Sequence, residues 1–212
     1  SVKRFQGGGL MAGSLLVLCL LLSQLYWKEW APYASWLAAS GRSVFEQGEY
    51  WRLFTTLFVH SDLGHLLSNS LMFAVVGFFV YLHYGPWVFP VSTLFLGGLV
   101  NAVVLLTMAP AQKLVGISGV VYFLWGYWLI LYILIQRHIR LNRRIMKVVA
   151  ISLLILFPTS YKPNVSYLAH GLGLIFGLMA GILYYFLRKG FIRSFEQWEE
   201  VEDMLELDDD EF

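Results

Sequence analysis

The chain is poorest in carboxylates where it is richest in apolar residues. Of its fourteen Asp and Glu residues, Glu29, Glu46, Glu49 and Asp62 lie early and ten crowd between Glu196 and Glu211. The 133 residues from Leu63 to Phe195 hold none. Aspartyl-type proteolysis, carboxylate proton relays and carboxylate-bound metals are hard to build in such a stretch. Cysteine is nearly absent too: Cys19 stands alone in an apolar run, so neither a disulfide framework nor a thiolate metal cluster is available. Charged residues make up only 14% of the chain, the net charge is +1, and no basic stripe of the kind that binds nucleic acid is present.

What fills the chain instead is apolar and aromatic, at 58% and 17% of 212 residues, which is a membrane composition. A helix needs about 20 apolar residues to cross roughly 30 Å of hydrocarbon. Counted against that length, the uncharged runs predict an all-α, polytopic bundle of six spans, at about 8–27, 63–82, 87–109, 115–136, 145–160 and 165–187. The 50 uncharged residues from Leu63 to Gln112 are split by His83-Tyr84-Gly85-Pro86, because Gly and Pro end helices. The first run follows Lys3 and Arg4 and ends without a small-residue cleavage site, so it reads as a retained helix. The fifth run is the shortest and leans on Lys147.

Residues 1–190 form the predicted core, and 191–212 an acidic tail. In the tail Phe195, Trp198, Val201 and Leu205 recur among acids, which suggests a short amphipathic helix and a solubilising end. With the N-terminus inside, the inner segments hold ten Lys and Arg residues and the outer ones five. The expected arrangement therefore has both termini in the cytoplasm, in a membrane such as the bacterial inner membrane. The outer loop 28–62 carries Trp30, Tyr33, Trp36, Tyr50 and Trp51 and is expected to lie half-submerged at the headgroups.

Polar groups within spans need a reason, and three places have them. His65 and Asn69, four apart, project from one helical face, either as chemistry or as polar glue between helices. Gly116-Ile117-Ser118-Gly119 opens the fourth span. There the serine is either a helix cap or a nucleophile beside the unpaired N–H donors of a helix start. His170 precedes Gly173, Gly177 and Gly181, a doubled GxxxG surface that admits another helix closely. It is either packed or brought to a partner. In the predicted topology these groups share one depth just below the outer surface, which favours a single site.

These residues, with Trp51-Arg52, His60 and Tyr122, resemble the rhomboid intramembrane serine proteases over about residues 8–188. The resemblance implies a nucleophile at Ser118, a general base at His170, and an oxyanion hole from His65, Asn69 and the Ser118 backbone N–H. It also implies a ring packed on the base at Tyr122, with Gly116, Gly119 and Gly173 in support. Two positions depart from the family pattern: Tyr81 stands where some bacterial members carry a glutamate, and Ile117 replaces the more frequent leucine.

With no acid in the spans, the expected mechanism is a Ser-His dyad needing no metal or organic cofactor. The implied substrates are transmembrane segments of other membrane proteins, which unwind locally near their outer end. The short fifth span is a candidate gate. A catalytically inactive, client-binding relative is the alternative, although such relatives usually lack the serine or the histidine. A histidine metal site or a transporter is a weaker rival. His60 and His65, five apart, would sit about 140° apart on a helix, and no inverted repeat is visible.

Overall fold

The computed structural model describes residues 2–28, 33–155 and 166–196. It is a helical, multi-pass membrane protein in which, among the described residues, five helices are long and apolar enough to cross a bilayer.

The first, α1 (Val2–Trp27), is apolar all round and packs on a later span through Gly7 and Gly8. A Cβ at Gly7 would sit 2.9 Å from the Tyr81 hydroxyl, so the bare backbone is what admits that ring. The short helices α2 (Ala34–Leu37) and α3 (Arg52–Thr55) and the strand β1 (Ala39–Ser40) fold the following loop into an ordered layer. Buried Arg52 holds this layer: it pairs with Glu49 at 2.6 Å and donates to the Ala38 carbonyl at 3.0 Å.

The second span, α4 (Leu63–Tyr84), starts at Asp62, whose carboxylate accepts from the His65 backbone N–H at 2.8 Å, and stops at Gly85 with φ 87°. Such a start and such a stop are what an acidic N-cap and a left-handed glycine provide. The third span runs from Trp87 to Thr107. It bends at Phe89, whose ring fills the space left by Gly77, and continues as α5 (Thr93–Thr107). After it comes strand β2 (Lys113–Leu114), antiparallel to β1 with Ala39 opposite Leu114.

The core helix is α6 (Ser118–Ile135), more than half buried, with α4, α5 and α8 (Tyr167–Arg193) against it. The α6–α8 contact is made by backbone. A Cβ at Gly173 would lie 2.2 Å from the Gly119 carbonyl oxygen, one at Gly177 2.1 Å from that of Phe123, and one at Gly126 2.4 Å from that of Leu174. Glycine is required at each of these positions.

Differences from the expected spans have local causes. The fourth begins at Ser118 rather than 115, because Lys113 and Leu114 are strand and Gly116 takes φ 118°. The last continues to Arg193, past the expected end at 187, since Arg188 and Lys189 are tolerated at a helix end near water. The expected fifth span appears as α7 (Leu141–Ile155), reaching back through the polar Asn142–Lys147, and among the described residues five helices, not including α7, meet the crossing length. Its positions 156–160 lie outside the described residues, as does the tail beyond 196.

Candidate active site

A cavity of about 430 Å³ opens where α4, α6 and α8 all begin. Its walls include His65, Gly116, Ser118, Gly119 and Ala169, together with Tyr26, Asn101, Lys113 and Ser166.

Ser118 is the first residue of α6. The cap position belongs to Ile117, which makes no side-chain capping bond, so the serine hydroxyl is not spent as an N-cap. Three contacts hold the approach to it. The Thr56 hydroxyl donates to the Leu114 carbonyl, the Gly116 N–H donates to the Thr56 carbonyl at 3.0 Å, and β1 pairs with β2. The loop before α4 thus fixes where the serine stands. Gly116 is needed twice over, for its positive φ and because a Cβ there would meet the His65 ring at 2.8 Å.

His170 lies in the first turn of α8, whose cap Ser166 accepts from the Ala169 N–H. Its ring stacks on Tyr122 with centroids 4.1 Å apart and planes at 10°, and Tyr167 meets it edge-on at 6.1 Å. The close approach at Gly119 and Gly173 brings the starts of α6 and α8 together, with the Ala169 carbonyl 3.5 Å from where a Gly119 Cβ would be. Ser118 adjoins Gly119 in sequence, and His170 adjoins Ala169. His170 itself is not among the side chains lining the cavity.

The oxyanion candidates divide. His65 faces the cavity. Asn69, one turn on, is buried and gives an amide N–H to the His65 carbonyl at 3.0 Å, which leaves its second amide hydrogen for other use. Ser61 Oγ stands 3.2 Å from His65 Nδ1 and 2.8 Å from Asp62 Oδ2. A hydroxyl has one proton to give. If Ser61 gives it to Asp62, Nδ1 must be the protonated nitrogen of a neutral His65; if it gives it to Nδ1, His65 carries its proton on Nε2 and can donate there. The Asp62 carboxyl is held below the usual carboxylate range by the His65 backbone N–H and, next, by the Ser61 hydroxyl.

His60 does not sit on the helix with His65, as the five-residue spacing was read. The helix starts only at Leu63, and the two rings meet edge-on at 5.1 Å. The 140° separation assumed one continuous helix, which the Asp62 cap prevents. His60 is fully buried: its backbone N–H donates to Ser23 Oγ at 3.0 Å, and its carbonyl accepts from the Trp27 indole at 2.7 Å. It therefore ties α1 to the loop that carries Ser61 and Asp62. No cluster of three or more His, Cys, Asp and Glu side chains among the described residues could hold a metal.

Burial, with the nearby His65 charge next in weight and Asp62 opposing, pushes the His60 imidazole down to about 4 from 6.5. The unfolded chain then binds more protons than the folded one between those values, so stability rises with pH across that window and is lost on acidification through it. The expected loss is about 1.4 kcal/mol per pH unit below about 6.5. A denaturation series from pH 7 to 4.5 checks this, and a slope unchanged by His60→Asn would contradict it.

Sequence reasoning passed over Asn101, Ser61 and Ser166. Asn101 donates to the Leu53 carbonyl at 2.9 Å and lines the cavity. A lone amide in an apolar span was a readable signal. Ser61 and Ser166 needed the helix starts to be placed first.

Comparison with known proteins places the chain among relatives. The family model for the Rhomboid domain matches residues 47–187. The chain is 30% identical over 156 residues to rhomboid-like protease 2 of Toxoplasma gondii, an alignment covering 72% of this chain and 55% of that protein. It thus spans about half the length of this curated relative.

Proposed function

Since this chain belongs to the rhomboid family, we propose that it is an intramembrane serine endopeptidase that cuts transmembrane segments of other membrane proteins with a Ser118–His170 dyad. The observation that carries this reading is the glycine contact between α6 and α8. Two helix starts bearing a serine and a histidine meet at the edge of one cavity, and the stretch Leu63–Phe195 that carries them holds no acid.

In this mechanism His170 takes the Ser118 proton as Oγ attacks the peptide carbonyl, then returns it to the leaving amine. Water later hydrolyses the acyl-enzyme. Tyr122 replaces the carboxylate of a triad as the group that holds the imidazole plane, by stacking rather than by charge. The oxyanion would be met by the Ser118 backbone N–H, unpaired at the first position of its helix, by the His65 ring on the cavity wall, and by the second amide hydrogen of Asn69.

The cavity opens at the ends of the spans that the loop charges put at the outer face, with both termini cytoplasmic. Substrates are then reached near their outer ends, where a helix unwinds to release its carbonyl. The rhomboid core comprises residues 1–190, with the acidic segment 191–212 as a tail.

Labelling of the purified protein with a serine-directed fluorophosphonate tests the reading. Ser118 is the expected adduct, and saturating chelator should leave labelling unchanged. Modification elsewhere, or a signal that disappears with chelator, would refute it.

A further inference from the structure

At the end of the bundle opposite the candidate active site, the chain gathers positive charge. Arg137 and Arg140 lie in the turn after α6, and Arg143, Arg144 and Lys147 follow within the first half of α7. No acid lies between Leu63 and Phe195 to balance them. Among the described residues, Arg140, Arg143, Arg144 and Lys147 make no ion pair, and Arg144 Nε is buried without a hydrogen-bond partner.

Arg137 is paired, and its partner is informative: it meets Glu196 at 3.3 Å, the first of the ten acids that end this sequence. Beside that pair is a cavity of about 400 Å³ between the α6–α7 turn and the end of α8, walled by Gln136, His138, Ile192 and Phe195.

We propose that this basic corner is the docking surface for the chain's own acidic segment, residues 197–211. Three observations select that occupant. The Arg137–Glu196 pair already delivers the start of the segment to the corner. The segment carries nine further carboxylates, with Trp198, Val201 and Leu205 as apolar companions for the groove. The reach is short: Arg143 to Lys147 spans about 6 Å of helix, while five extended residues after Glu196 cover about 16 Å. Tethering also gives the segment an effective concentration of order millimolar, which a diffusing peptide lacks. Docking would neutralise the cluster and withhold it from other anions, including lipid headgroups. The attraction is between partly exposed charges, so salt weakens it.

Carbodiimide coupling of amines to carboxylates in the full chain, purified in uncharged detergent, tests this. The expected product joins Lys147 to an acid within 199–211, in a yield independent of protein concentration. That yield should fall at least several-fold in high salt and in the double variant Arg140→Gln/Arg143→Gln. Absence of the product overturns the proposal. So does a yield that falls on dilution, which would mean a second copy, or one indifferent to the double variant, which would mean random encounter. In nanodiscs the product should persist when phosphatidylglycerol replaces phosphatidylcholine. Its disappearance would assign the corner to anionic headgroups instead.

Discussion

Ser118→Ala is expected to lower the rate of substrate cleavage by at least about 10⁴-fold, and His170→Ala by a similar factor. The two groups share one proton transfer, so removing either disables the attack. The double variant should be scarcely slower than either single one, since residues acting as a unit do not contribute additively. What activity survives would come from binding and from the oxyanion donors.

Those donors should account for a smaller, separable loss. Asn69→Ala should cost about 100- to 1000-fold in kcat, with KM little changed because the interaction is made only in the transition state. The measurement is cleavage of a single-span substrate after reconstitution with the purified protein. Cleavage undiminished in Ser118→Ala or His170→Ala would end the dyad proposal. Loss of cleavage while fluorophosphonate labelling of Ser118 persists, as His170→Ala could show, would separate the nucleophile from its base.

Gly173→Ala should be the most damaging single-methyl change at the α6–α8 contact close to the site. Its Cβ would stand 2.2 Å from the Gly119 carbonyl oxygen, a backbone atom that cannot swing away as a side-chain tip can. Relief requires the two helices to part by about 1 Å, and overpacking of this kind typically costs 1–3 kcal/mol. The functional cost is expected to exceed the stability cost. Gly119 adjoins Ser118, and a misplacement of about 1 Å at a reacting pair can cost on the order of 100-fold in rate.

Gly177→Ala, one turn further from the cavity and 2.1 Å from the Phe123 carbonyl, should destabilise as much while harming catalysis less. Gly171→Ala, whose new methyl would meet nothing within 4 Å, serves as the control and should alter both within about 0.5 kcal/mol. Melting curves in detergent beside cleavage rates measure the split. A Gly173→Ala protein with unaltered rate would contradict the placement of Ser118 by this contact.

Much of the architecture was readable because bilayer crossing is a one-dimensional constraint. Length and apolarity of a run decide it without reference to neighbours, and the long spans fall close to where counting put them. The exceptions show where that reasoning stops. Fifteen residues of α7 begin in a polar stretch, so a count of apolar residues could not find its start. The segment before α4 is rich in aromatic rings and reads as a membrane-surface loop; those rings do not disclose that it folds into a layer held by Arg52 and by a strand pair linking positions 39 and 114. A two-residue strand has no periodicity to detect.

The site shows the same division. Ser118, His170 and the glycine repeat stood out because polar groups and small residues at fixed spacing are rare in apolar helices. Asn101, Ser61 and Ser166 did not, since their use depends on which helix start or loop lies beside them.

The sequence alone determined that this protein spans the membrane several times and which few polar side chains the spans contain, because hydrocarbon penalises each polar group independently of the fold. Its carboxylate-free stretch also determined that any hydrolytic chemistry there has no carboxylate of its own spans to draw on. Only the tertiary structure decided which of those side chains face one cavity, that His60 is a buried tie between α1 and the loop before α4, and that the Ser61 hydroxyl stands between Asp62 and the His65 ring. Those outcomes rest on distances between groups far apart in the chain, set by how closely backbones approach, and no local pattern encodes them.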